Sequence, residues 1–385
     1  MDEEADNTWT DDSKEAISKG FVEYFAALAD PRAIGRTEHG LLEIIFISVC
    51  AYICGFNSWE GVFEFAKARE SWLKKYIALK NGIPSRVTYW RIFSHLEPSA
   101  FSNCFRNWIQ TLLGETKHIA IDGKALRGVH DQDNPDKSMI LVSAWATDKG
   151  LLLGQIKTDV KSNEITAIPK LLDMICVKDC IVSIDAIGCQ TEIAKKITDL
   201  GGHYLIALKG NQKTLSNDVA TFFQSALESN WKYIDYESFE SVEKGHGRVD
   251  KRTVYLVREM SDCISSEDWP NISSVIMVVS TRLIKDKEST ETRFYITSST
   301  QGVSEIGLVI RKHWGIENGL HWSLDVGFRE DRQVAQKINL AENLAILRRL
   351  VLTLLRKEPG KLSIENKRIK AAMSTDYLEK ILDIA

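Results

Sequence analysis

The chain of 385 residues is 44% hydrophobic and 26% charged, the balance of an ordinary globular protein with a sizeable core. A formal net charge of −4 excludes a uniformly basic nucleic-acid binder, so any DNA surface has to come from local clustering. Seven cysteines without a CxxC pair read as reduced thiols, and the start MDEEADNTWTDD is too acidic for a secretory signal. The most apolar window, residues 44–56, is too short to span a bilayer, which predicts a cytoplasmic, nucleoid-associated protein with no membrane partner.

Residues 1–18 are polar and acidic and read as a disordered tail. From 19 to 113 the apolar spacing is helical, in FVEYFAALAD, LLEIIFISVCAYICGF and WEGVFEFAKARESWLKKYIAL. In GIPSRVTYWRIFSHL the Gly-Ile-Pro marks a turn, Ser85 an N-cap, and the spacing predicts a helix over 86–96. A helix carrying Arg86, Tyr89, Trp90 and Arg91 after such a turn fits a DNA-contacting helix-turn-helix. It fits equally a plain bundle with Tyr89 and Trp90 in its core.

After Thr116 the texture changes. HIAID, MILVSAWAT, LLLGQIKT, CIVSIDA and HYLIALKG predict strands, with helices in EITAIPKLLDMI and TEIAKKITDL. The order β-β-β-α-β-α-β indicates an α/β unit with a mixed sheet. Asp122 ends the first of these strands, with Gly123 opening a turn, and Asp185 ends the fourth. If those strands are neighbours, the two carboxylates face one crevice. Residues 222–291 read as a β-rich insertion that returns through RFYITS. VSEIGLVIRKHWGIENGLHWSLDV reads as one long helix weakened by Gly315 and Gly319, followed by the amphipathic AENLAILRRLVLTLLRKE and a tail over 359–385. Residues 341–370 hold eight Lys/Arg against three Asp/Glu, which suits phosphate contacts or simply a solvated charged face.

Two strand-end aspartates and a later helical acid form a donor set for two hard divalent cations, which promote in-line displacement at phosphorus. HIAIDGKALRG, SIDAIGCQTEIAKKI, YLIALKGNQKTL, KGHGRV and RKHWGIENGLHWSLDVGFRED resemble the DDE transposases of bacterial insertion sequences, H-repeat-associated type. ADPRAIGRTEHGLLEIIFISVCAYICGFNSWEGV and GIPSRVTYWRIF are similar to that group's associated amino-terminal region, and the likeness covers roughly residues 20–358.

The resemblance implies a ribonuclease-H-like mixed sheet with flanking helices over 114–358, the β-rich insertion, and an all-helical, DNA-end-binding region over 19–113. It implies Asp122, Asp185 and Glu317 as the catalytic acids, 63 and 132 residues apart, holding two Mg²⁺ or Mn²⁺ ions. The implied activity is metal-dependent strand cleavage and strand transfer on double-stranded DNA, at element ends and target, by a homodimer in a synaptic complex. The superfamily pattern Y-x2-R-x3-E-x6-K is not kept: Ile310, His313 and Leu324 stand at the Tyr, Arg and Lys positions. Arg311, Lys312 and His321 are candidates for the vacated phosphate contacts, and His313, Glu317 and His321 share a helix face at i, i+4 and i+8. Asp325, Glu330 and Asp331 compete with Glu317 as the third acid. Further DNA-contact candidates are Lys124 and Arg127, which could instead offset the charge of Asp122, Lys209, Asn211 and Gln212, equally readable as a solvated turn, and His246 and Arg248, also readable as a hairpin tip. Two other activities fit the sequence: a DNA nuclease on the same scaffold, and a domesticated, catalytically silent DNA-binding protein.

Overall fold

The structure is a computed structural model that describes residues 23–33, 37–126, 139–158, 164–245, 247–258, 269–285, 287–332, 335 and 337–382. The acidic segment 1–18 lies outside them.

LLEIIFISVCAYI is apolar on every side, and accordingly α1 (Leu41–Ile53) is buried all round. Its buried Ser48 hydroxyl donates to the Ile44 carbonyl at 2.7 Å. Around it pack α2 (Trp59–Ala68), α3 (Glu70–Leu73), α4 (Arg86–His95) and α5 (Pro98–Leu113). Ser85 caps α4 as expected, accepting the Thr88 N–H at 3.3 Å. Tyr89 is fully buried and stacks on Trp59, while Trp90 on the same helix is 37% exposed, so the helix has one core face and one open face.

Among the described residues nine strands form one sheet: β1 (His118–Leu126), β2 (Met139–Ala146), β3 (Leu151–Thr158), β4 (Ile181–Ile184), β5 (His203–Leu208), β6 (Glu237–Gly245), β7 (Arg248–Val257), β8 (Ser274–Ile284) and β9 (Lys287–Thr297). Their order is β3-β2-β1-β4-β5-β9-β8-β7-β6. The first three pair antiparallel, β4 and β5 join parallel to β1, and the rest are antiparallel. This is the expected ribonuclease-H-like mixed sheet, and the β-rich segment extends its edge through β9, the strand holding RFYIT.

Side chains alternate across the strands. Ile119, Ile121, Val182 and Ile184 pack with α6 (Glu164–Asp173), α7 (Thr191–Asp199) and α8 (Lys213–Glu228) on one face. Ile181 and Leu205 pack with α9 (Val303–His313) on the other. The extension anchors α9 at both ends: Glu237 Oε2 accepts the Val303 N–H at 3.0 Å, and Glu243 Oε2 pairs with Arg311 Nη2 at 2.9 Å.

The long helix expected after α9 does not stay α-helical. Ile316–His321 and Ser323–Gly327 are π-wound, with the Trp322 N–H reaching the Glu317 carbonyl five residues back. Cations from elsewhere take carbonyls in the widened coil: Arg356 Nη2 donates to Gly319 O at 2.7 Å, and Arg368 Nη1 donates to Gly327 O.

The segment 359–385, expected as a tail, instead carries α11 (Ile364–Met373) and α12 (Thr375–Leu382) after α10 (Ile338–Lys357). These helices share a core with α1–α5. Glu379 Oε1 accepts from Trp72 Nε1 at 2.7 Å and Tyr76 Oη at 2.6 Å. The basic run of residues 341–370 is largely internal: Arg348, Arg349, Lys367 and Arg368 are buried, the first two against Glu330. Arg348 and Arg349 share the Glu330 carboxylate, Lys367 pairs with Glu358, and Arg368 donates to the Tyr52 carbonyl, so these four cations serve packing. No helix among the described residues is long and apolar enough to cross a membrane.

Candidate active site

β1 and β4 run parallel, with His118, Ile119, Ala120 and Ile121 opposite Ile181, Val182, Ser183 and Ile184. The next residue on each strand is an aspartate, so register alone brings Asp122 and Asp185 together at the carboxyl end of the pair. Asp185 leaves β4 in extended geometry, and its Oδ1 accepts the Ile187 N–H at 3.1 Å to cap a short turn over Ala186–Gly188. Gly123 does not open a turn, contrary to the sequence reading. β1 runs on to Leu126, paired with β2, because the meander partner continues past the aspartate.

Gly123 has a different task. A Cβ there would meet the Glu164 carboxyl carbon at 2.7 Å and both its oxygens within 2.9 Å. A glycine therefore lets Glu164, at the start of α6 and itself buried, set a carboxylate directly against the strand beside Asp122. Burial first, then the charge of Asp185, pushes the Asp122 carboxyl up to about 7; Glu317 and Glu164 add to the rise, and the Gly123 N–H at 2.8 Å opposes it.

Glu317 lies at the start of the π-wound segment, with its carboxyl raised by burial and by Asp185 and lowered by Arg293. Arg293, from β9, is stacked over Trp314 at 4.7 Å. His321 Nδ1 is 3.7 Å from Asp122 Oδ2, and burial drives its imidazole down to about 3. The predicted face of His313, Glu317 and His321 is thus turned toward the two strand ends.

The competing acids are engaged elsewhere. Lys124, only 8% exposed, binds Asp325 at 2.7 Å and Asp331 at 3.1 Å, and Glu330 is buried against Arg348 and Arg349. Lys124 is therefore no DNA contact as placed, since its ammonium is enclosed by those two carboxylates. Asn211, exposed, and Gln212, half-buried, donate to the carbonyls of Ala186 and Cys189 (the latter at 3.0 Å) and brace the turn after Asp185. His313 is turned into a buried hydrogen-bond chain through Ser183. Arg311 pairs with Glu243, Arg248 with Asp250, and Arg86 with Glu60 at the surface. Arg91, Lys209 and Lys312 are exposed and carry no ion pair among the described residues. Arg127 and His246 lie outside the described residues.

Glu164 was missed by sequence reasoning. No spacing rule joins it to Asp122; the sole trace is the glycine that makes room for it.

The donors at this site are carboxylate oxygens, the set that hard divalent cations prefer, and their mutual repulsion is what such a charge would relieve. Among the described residues no three His, Cys, Asp or Glu groups are already arranged to hold an ion.

Residues 113–354 match the family described as Transposase DDE domain, and residues 22–109 the one described as DDE_Tnp_1-associated. The chain belongs to the DDE transposase family. Putative transposase YncI of Escherichia coli O157:H7 is 37% identical over 372 residues, 94% of each chain. The H repeat-associated putative transposase YhhI of Escherichia coli K12 is 36% identical over 374 residues, 94% of this chain and 98% of that one. Among solved structures, the piggyBac transposase synaptic complex with hairpin DNA aligns over 96% of this chain and 79% of its own, at 10% identity and a TM-score of 0.44. Within the DDE family this member is of the H-repeat-associated type.

Proposed function

We propose that this protein is an insertion-sequence transposase that cuts and joins double-stranded DNA, with Asp122, Asp185 and Glu317 as its catalytic acids. The observation that carries the reading is the parallel register of β1 and β4, which sets two half-buried aspartates side by side in a chain of this family.

Asp122, Asp185 and Glu317 would hold two Mg²⁺ or Mn²⁺ ions, which when bound supply Lewis-acid charge for attack at phosphorus. The protein contributes rigidity: strand-mounted aspartates keep their geometry, so little reorganisation remains for the reaction. Glu317, on a more exposed and π-wound segment, is the acid that adjusts as the site fills. Lys209, Lys312 and Arg91, exposed and without an ion pair among the described residues, are offered to phosphates, with Arg91 beside Trp90 on the open face of α4 reading the element's end. Two ends must meet, so the working form is a homodimer.

The test uses duplex DNA carrying the segments that flank the protein's own gene, with Mg²⁺ or Mn²⁺. Metal-dependent nicking and joining, lost in Asp122→Asn, Asp185→Asn and Glu317→Gln, supports the proposal. Cutting without joining would make it a nuclease, and binding without cutting in either metal a silent DNA-binding protein.

A further inference from the structure

At one edge of the sheet, four neighbouring strands present their charges in sorted order. Asp122 and Asp185 stand one residue beyond the Ile121–Ile184 pair of β1 and β4. Next in the sheet, Leu208 of β5 faces Phe294 of β9, and one residue further out on each strand stand Lys209 and Arg293. Asp185 and Lys209 keep extended backbone, so the alternation of side chains continues through them. Ile181, Leu205 and Tyr295 pack against α9, and Asp185, Lys209 and Arg293, each an even number of residues away, share that face. Asp122 shares it too, out of step with Ile119 and Ile121, which face the other side. Two acids are followed, strand by strand, by two cations.

The second of those cations is held as a fork. Arg293 Nε lies 2.8 Å from Glu291 Oε1, and Arg293 Nη2 lies 3.1 Å from Glu291 Oε2. The guanidinium also lies over the ring of Trp314, at 4.7 Å, where α9 ends three residues before Glu317.

We propose that Arg293 is a phosphate fork for the DNA strand entering the site, and that Glu291 fills the fork until a phosphate takes its place. The inference rests on the proposed function. It gives the phosphate contact to an arginine from another strand, in a chain where His313 stands at the arginine position of the superfamily pattern.

The bond geometry fits the exchange. Two parallel N–H···O bonds are the arrangement in which a guanidinium takes either a carboxylate or a phosphate. The two partners also differ in how firmly they are mounted. Arg293 is 34% exposed and rests on an indole face, whereas the Glu291 side chain is 61% exposed. An ion pair this open to water is weak, and its carboxylate regains hydration as it leaves. Bonding from Arg293, with the charge of Lys209 behind it, holds the Glu291 carboxyl below its ordinary value, so the fork is filled by an anion at neutral pH. Two strand spacings, roughly 10 Å, separate Arg293 from Asp185, which puts the fork on a neighbour of the phosphate that reacts.

The test reads binding of metal-free protein to duplex DNA carrying the segments that flank its own gene, by fluorescence anisotropy. Arg293→Gln should weaken binding about 10–100-fold. Arg293→Lys, which keeps the charge and loses the fork, should fall between that variant and wild type. Glu291→Gln, a change at the exposed surface that empties the fork, should tighten binding about 2–5-fold. In the Arg293→Gln background, Glu291→Gln should gain nothing. An equal gain there would mean that Glu291 only repels DNA, and wild-type affinity in Arg293→Gln would mean that the pair is structural; either result overturns the proposal. Replacing single phosphates by uncharged methylphosphonates locates the contact. One position beside the cut should cost the wild type affinity and cost Arg293→Gln none, and equal losses in both proteins would contradict the fork. A wild type that binds this DNA but never cuts or joins it with Mg²⁺ or Mn²⁺ would sink the transposase reading, while the ranking of the variants would still decide the exchange.

Discussion

The carboxylate of Glu164 lies where a side chain on Gly123 would begin, 2.7 Å from the position of a Cβ. One glycine thereby admits a fourth acid against the strand that carries Asp122. Gly123→Ala forces either the helix start or the strand to move, and overpacking of this kind costs about 1–3 kcal/mol. Urea unfolding should show that loss, and adding Glu164→Ala should restore most of it. An alanine variant as stable as wild type would mean that Glu164 is seated elsewhere.

The raised Asp122 carboxyl makes the metal-free protein sensitive to alkaline pH. Its folded value of about 7 lies above the ordinary value of about 3.9, so the folded state holds the proton more tightly. The stability this gives is complete below pH ~4 and is lost as pH rises through ~7. His118 and His313, depressed by burial, act oppositely and only below pH ~6.5. The thermal midpoint of the metal-free protein should therefore drop by a few degrees between pH 6 and pH 8. Asp122→Asn should flatten that drop. An equal slope in the variant would assign it to another group.

Lys124 bridges the carboxylates of Asp325 and Asp331. Lys124→Met leaves Asp325 and Asp331 facing each other and should cost about 3 kcal/mol. Because Lys124 is enclosed, its loss should leave the salt dependence of DNA affinity unchanged. Lys312→Met, at an exposed position, should lower the slope of log affinity against log salt by about 1. Titrations at several salt concentrations distinguish the two.

Glu379 ties the last helix to Trp72 and Tyr76 through one oxygen. Glu379→Ala removes two bonds to a charged acceptor, and calorimetry should register about 1.5–3 kcal/mol. No change would mean that the carboxyl-terminal helices dock without it.

What the sequence made legible was whatever local pattern controls. β-branched runs ending on Asp122 and Asp185, the Ser85 cap and the alternation of strands and helices all follow from nearest neighbours along the chain. The adjacency of the two aspartates was conditional on β1 and β4 pairing, which the order β-β-β-α-β allowed but did not force. Gly123 was misread because Asp-Gly commonly opens a turn; nothing nearby in sequence announces Glu164. The basic run at 341–370 looked like a solvated face, since a helix pattern does not reveal that Glu330 is buried against Arg348 and Arg349. The π winding after α9 was equally hidden, as it depends on Arg356 and Arg368 arriving from distant helices to take its carbonyls. Lys124 looked available to DNA for a similar reason: Asp325 and Asp331 stand some 200 residues further on.

The most direct measurement supplies a pre-cut element end bearing a free 3′-hydroxyl, a plasmid target and Mn²⁺. This isolates strand transfer from end cleavage. Wild-type protein should join the end to the plasmid, while Asp122→Asn and Asp185→Asn should bind the same DNA in a gel shift and join none. Joining by either aspartate variant at the wild-type rate, or binding without joining by the wild type, would contradict the assignment of this strand-end pair as the catalytic centre.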